Sequence, residues 1–184
     1  MGLPRDETAF FGREREISEI ERRFEAGARL VTIVGLGGVG KTRLAVATAA
    51  RRKGALYVPL GGARSLEAAV REVAAATRVP LRAESQARAG LGTVGAALSK
   101  KAAGKGLLLV LDNTEQLGPA ARELASALLD EAKDLAILAT AREPLGARGE
   151  EKIVLAPLEE GEAVALLRDR ARAAAGGDVE IDEA

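Results

Sequence analysis

The chain predicts an α/β fold built on a parallel sheet with right-handed crossovers, and three observations carry that expectation. Strand-like and helix-like segments alternate along the 184 residues, which calls for crossover connections between neighbouring strands. The run Leu107-Leu-Leu-Val-Leu111 is apolar without alternation, the mark of a strand covered on both faces. The segment Leu30-Val-Thr-Ile-Val34 runs directly into Gly35-Leu-Gly-Gly-Val-Gly-Lys41-Thr42, a G-x-x-x-x-G-K-[ST] loop that needs a strand entering it and a helix leaving it.

The elements follow in order. Ile17, Ile20 and Phe24 fall at i, i+3 and i+7 and predict a first helix with one buried face. Strand 30–34 and the Gly-rich loop come next, then a helix over about 41–53 that ends near Gly54. Ala55-Leu-Tyr-Val58 is a short second strand, and Leu66, Ala69, Val70 and Val73 mark the helix after it. Residues 79–92 hold Pro80, Gly90 and Gly92 among scattered charges and read as a mobile loop, with a weaker helix running to about 103. Strand 107–111 leads to an amphipathic helix through Leu117, Ala121, Leu124, Ala125 and Leu128. Leu135-Ala-Ile-Leu-Ala-Thr140 is a further buried strand, residues 152–155 a last one, and residues 159–174 a last helix. One domain over residues 1–175 and an acidic, Gly-rich tail over 176–184 account for the chain.

Composition narrows the chemistry. Lys plus Arg and Asp plus Glu number 27 each, so no net field draws the protein to nucleic acid or to an anionic membrane. The basic clusters 51–53 and 100–101 read as solvated helix ends. No stretch approaches the roughly 20 apolar residues of a membrane span, and no signal-peptide pattern opens the chain. The absence of cysteine excludes disulfides and thiolate metal sites, and a cytoplasmic protein is the expectation. The absence of histidine removes the commonest general base and every Ser-His triad. Chemistry here is left to carboxylates and cations. Aromatic residues make up 2%, too few to build stacking platforms for single-stranded nucleic acid.

The loop is where phosphates are expected. Gly35, Gly37, Gly38, Val39 and Gly40 let backbone N–H groups turn inward, and the helix that follows points its positive end at an anion. Lys41 adds a point charge, Thr42 a hydroxyl for Mg²⁺, and Arg43 lies on the first helical turn. Asp112 ends the most apolar strand, where ligands bind in open α/β sheets, and is placed like a Walker B carboxylate partnering Thr42 at Mg²⁺. Its bland alternative is a cap on the next helix. Asn113 follows where many such ATPases carry a second acid, and an amide cannot take a proton. Glu115 is the nearby substitute, although a solvated helix-start glutamate is its plainer identity. Arg142 closes the next strand and could read a terminal phosphate by forked hydrogen bonds, or simply sit in solvent or pair with Glu143.

Phe11-Gly12-Arg13-Glu14, the Gly35–Thr42 loop, Leu109-Val-Leu-Asp112-Asn113, Ala139-Thr-Ala-Arg142-Glu-Pro-Leu145 and Ala156-Pro-Leu158 followed by Glu162-Ala-Val-Ala-Leu-Leu167 together resemble the nucleotide-binding (NB-ARC-like) domain of STAND signalling ATPases. The nearest likeness is the group found in bacterial transcriptional regulators, over roughly residues 9–172. The resemblance implies a three-layer α/β/α P-loop NTPase with strand order 2-3-4-1-5. It also implies a base site near Phe11, Gly12 and Arg13, with Arg142 as sensor of the third phosphate; by itself Arg13 reads as a surface residue of the first helical turn. ATP or ADP with Mg²⁺, further domains of a longer chain, and a nucleotide-dependent homo-oligomer are implied with it. Two departures stand out. Asn113 replaces the second acid, which points to slow hydrolysis. The sequence also stops before the family's helical and winged-helix parts, which reads as an excised domain with a half-open adenine pocket. The competing readings are an AAA-like motor or small-molecule kinase, and a module that holds ADP without hydrolysis.

Overall fold

The computed structural model describes Pro4, residues 12–81 and 86–158, and positions 161, 163, 164, 166–168 and 171. Five parallel strands form one sheet in the order β2-β3-β4-β1-β5, with β1 at Leu30–Val34, β2 at Leu56–Pro59, β3 at Leu107–Asp112, β4 at Leu135–Ala141 and β5 at Glu150–Val154. Helices α1 (Glu14–Glu25) and α2 (Lys41–Ala50) cover one face; α3 (Leu66–Thr77), α4 (Ala87–Ala102) and α5 (Pro119–Glu131) cover the other. The expected strand order and three-layer α/β architecture are those observed.

The apolar run in β3 shows why no alternation was needed. Leu107, Leu109 and Leu111 pack into the α3–α5 layer, while Leu108 and Val110 pack into the α1–α2 layer. Every residue of β1 and β3 is buried. Edge strand β5 buries Ile153 and leaves Val154 exposed. Among the described residues no helix is long and apolar enough to cross a membrane.

One expectation fails. Residues 87–92 are the first turns of α4, not a loop. Gly90 and Gly92 suggest helix breakers in the sequence, but both lie inside α4, and Gly90 sits where α4 meets α3: a Cβ there would stand 2.8 Å from Val70 Cγ1. Gly95 makes the same close approach to α5, with Glu131 Cβ 2.7 Å from where its own Cβ would be. Gly90 and Gly95 serve packing, and they offset their helical cost of about 1 kcal/mol each by bringing helices together, whereas Gly92 faces open space. Residues 82–85 and the 176–184 tail lie outside the described residues. So do Phe11 and much of the segment 159–174, of which positions 161, 163, 164, 166–168 and 171 are helical.

Candidate nucleotide site

The site is assembled at the carboxyl ends of β1, β3 and β4. Leaving β1, the chain turns through the Gly-rich loop and enters α2 at Gly40, whose φ of 99° is a left-handed conformation that a side chain would strain. This turn lets α2 begin with Lys41 and directs the first amides of the helix into the loop. Lys41 is 8% exposed. Its ammonium donates to the carbonyls of Gly35 and Leu36, each at 2.9 Å, and stands 3.5 Å from Glu115 Oε1.

Asp112 is the best-connected side chain of the site. The Thr42 hydroxyl donates to its Oδ1 at 2.8 Å, the Thr140 hydroxyl to the same oxygen at 2.7 Å, and the Tyr57 hydroxyl to Oδ2 at 2.7 Å. Strand register explains the last contact. Tyr57 on β2 is level with Val110, and Asp112 lies two residues further along the same face of β3. Burial, and next to it the Asp112 carboxylate, push the Tyr57 phenol well above its ordinary range. Thr140 also accepts from the Asn113 amide N–H at 2.8 Å, so it fixes both the carboxylate and the chain leaving it. A carboxylate has about four lone-pair sites, which leaves room beyond the three hydroxyls. One carboxylate and one hydroxyl are oxygen donors of the kind Mg²⁺ takes when substrate phosphates supply the rest. The donor set of Thr42 and Asp112 therefore fits Mg²⁺.

The sequence candidates do not all meet. Lys41, Thr42, Asp112 and Arg142 converge, the last with its Nε 3.8 Å from Glu115 Oε1 and its side chain 71% exposed. Asn113 stands apart. It takes φ 59°, and its amide nitrogen presses on Gly61, where a Cβ would lie 2.6 Å away. Glu115 is not a solvated helix-start residue. It opens a 3-10 turn (Glu115–Leu117) with its side chain 19% exposed, between Lys41 and Arg142. Arg13 is not a surface residue either: it is 7% exposed, bonded to Glu16 at 2.6 Å and to the carbonyl of Ala156 at 2.7 Å. A cleft of about 560 Å³ opens between Arg13, the loop from Leu36 to Gly40, Arg43, and Pro157 with Leu158, a size suited to a small ligand. Sequence reasoning missed Tyr57 and Thr140. The β2–β3 pairing was the signal for the first, and the hydroxyl two residues before Arg142 for the second.

A Gly-rich loop with its lysine, a hydroxyl paired to a strand-end carboxylate, and strand order 2-3-4-1-5 define a P-loop ATPase fold. The chain belongs to the AAA ATPase domain family, whose profile matches residues 9–140. Its described architecture is also that of Cdc6p from Pyrobaculum aerophilum, with a TM-score of 0.70 at 18% identity over 94% of this chain and 52% of that one. A Signal Transduction ATPase with Numerous Domains (STAND) protein with a tetratricopeptide repeat sensor, PH0952 from Pyrococcus horikoshii, gives a TM-score of 0.63 at 20% identity. That match covers 92% of this chain and 26% of that one. In sequence, the chain is 38% identical over 154 residues to a Mycobacterium tuberculosis protein named "Putative HTH-type transcriptional regulator Rv0890c". The match takes in 82% of this chain and 17% of that protein's length.

Proposed function

We propose that this chain is the ATP/ADP-binding switch domain of a STAND-like signalling or regulatory protein, NB-ARC-like in type, with slow Mg²⁺-dependent ATP hydrolysis. The observation that supports it most is the Thr42–Asp112 hydrogen bond beside a buried Lys41, a geometry suited to a metal ion and phosphates near one helix N-terminus. Lys41 and the loop amides hold phosphates, Thr42 and Asp112 hold Mg²⁺, and Arg142 senses the third phosphate. The base lies in the cleft beside Arg13. Bound Mg²⁺ would neutralise charge between the terminal phosphates.

The regulator-named relatives support a place inside a longer chain, since the matching part is 17% of their length. An HTH-type regulator reads DNA through a helix-turn-helix segment. With 27 basic and 27 acidic residues, this domain is suited to control such a segment rather than to bind DNA itself. Nucleotide state then shifts the full-length molecule between a resting form and an oligomeric one through differential contacts.

Calorimetric titration with ADP and ATP, beside phosphate-release assays, tests the reading. Turnover below about one per second, the low end for enzymes, is expected. Lys41→Ala should weaken nucleotide binding at least ~30-fold, the equivalent of about 2 kcal/mol for a lost charge-assisted contact. A folded protein that binds neither nucleotide would sink the proposal.

A further inference from the structure

Lys41 and Arg142 share a carboxylate, and it belongs to Glu115. Three features of the chain after β3 bring it there. The left-handed turn at Asn113 directs that residue's amide to Gly61, in the loop after β2. In the sheet, β2 lies on the far side of β3 from β4 and β1, so Asn113 faces away from the strands that carry Arg142 and the P-loop. Thr114 is then pinned to β4, its N–H and its hydroxyl both bonding the Thr140 carbonyl at 3.1 Å. The next side chain, Glu115, is thereby aimed across β4, with one oxygen 3.5 Å from Lys41 Nζ and 3.8 Å from Arg142 Nε.

Glu115 and Arg142 also line a second cleft of about 500 Å³, together with Thr114, Gln116 and Arg122, and no residue of the Gly35–Thr42 loop lines it. The carboxylate therefore stands between the phosphate loop and an opening that water can enter by another route.

We propose that Glu115 is the catalytic carboxylate for ATP hydrolysis in this chain, in place of the acid missing at Asn113. The inference rests on the ATPase reading above and adds to it the group that takes the proton. Water entering from the second cleft forms a bond from its oxygen to the γ-phosphorus. The bond from that phosphorus to the β,γ-bridging oxygen breaks, and its electron pair leaves on ADP. The proton lost by the water passes to a Glu115 oxygen and from there to phosphate or solvent, so that the products are ADP and inorganic phosphate. Lys41 and Arg142 make the arrangement tolerable, because a carboxylate beside a phosphate needs cations on both sides.

The experiment compares wild type, Glu115→Gln, Glu115→Asp and Asn113→Ala in the 184-residue protein. It measures phosphate release at saturating Mg-ATP and, separately, affinity for ATP and ADP by calorimetry. The expected result for Glu115→Gln is a kcat lower by about 100-fold, the scale of general-base catalysis, with ATP affinity unchanged or tighter because a negative charge has left the phosphate site. Glu115→Asp should keep part of the turnover. A role as counter-ion alone would move affinity and leave kcat within about threefold, and that outcome overturns the proposal. Turnover kept in Glu115→Gln but lost in Asn113→Ala overturns it as well. Tight ATP binding without any phosphate release by wild type removes the catalytic assignment and leaves the nucleotide-binding reading standing. Loss of binding in wild type removes that reading itself.

Discussion

The two ends of the candidate nucleotide site are built differently. At the phosphate end, Asp112 alone gathers three hydroxyls from β2, α2 and β4, and Lys41 is fixed to two loop carbonyls. At the other end, Arg13 is the one buried charged residue among those described. It is held by Glu16 and by the carbonyl of Ala156 across 143 residues of sequence, among the apolar Leu36, Val39, Pro157 and Leu158. The first end is a polar cradle, and the second is a more apolar notch crossed by the long-range Arg13–Ala156 bond. Under the proposed nucleotide-binding role, such a site would take more of its affinity from phosphates and Mg²⁺ than from the base.

Substitution at Asp112 should break the contrast most sharply. Asp112→Asn removes the charge from the proposed Mg²⁺ site and leaves one of three hydroxyls without an acceptor. The gain in nucleotide affinity given by Mg²⁺ should vanish, and unfolding stability should fall by about 1–3 kcal/mol. Calorimetry with and without Mg²⁺, beside urea denaturation, reads both effects. An unchanged Mg²⁺ dependence would mean that the metal sits elsewhere.

A smaller effect is expected at the apolar end. Arg13→Ala loses the bonds to Glu16 and Ala156 and should cost about 1–2 kcal/mol of stability, with less than a tenfold loss in ADP affinity. A larger loss of affinity than of stability would show that the base end contributes as much as the phosphate end.

Smallest is the change at Tyr57, whose hydroxyl supports Asp112 from behind. Tyr57→Phe should lower Mg²⁺ affinity a few-fold and stability by about 1 kcal/mol. It also has a pH signature in protein free of nucleotide and Mg²⁺. The folded phenol titrates above its unfolded value of 10.0, so its contribution is fully present below pH 10. It is lost as pH rises from there through the folded value, because the unfolded chain releases the proton first. Wild type should therefore lose stability more steeply than Tyr57→Phe above pH 10. Parallel curves would remove burial of the phenol against Asp112 as the cause.

The contrast also explains what could be read in the sequence. The Gly35–Thr42 loop is local, and Asp112 follows from an apolar run whose end marks a sheet edge, so both were visible as patterns. Strand order came through resemblance. Arg13's burial depends on a carbonyl near the far end of the chain, which no local pattern encodes. The standing of Glu115 depends on one left-handed residue, Asn113, which redirects the two positions after it. In α4 the glycines signalled helix contact in three dimensions and a loop in one.

One contact has an optical consequence. The chain has a single tyrosine and no tryptophan, so its ultraviolet emission comes from Tyr57, whose hydroxyl rests on Asp112. Any change at that carboxylate alters the surroundings of this one phenol. The domain thus carries its own lamp beside the Thr42–Asp112 pair, and events at that pair can be followed without a label.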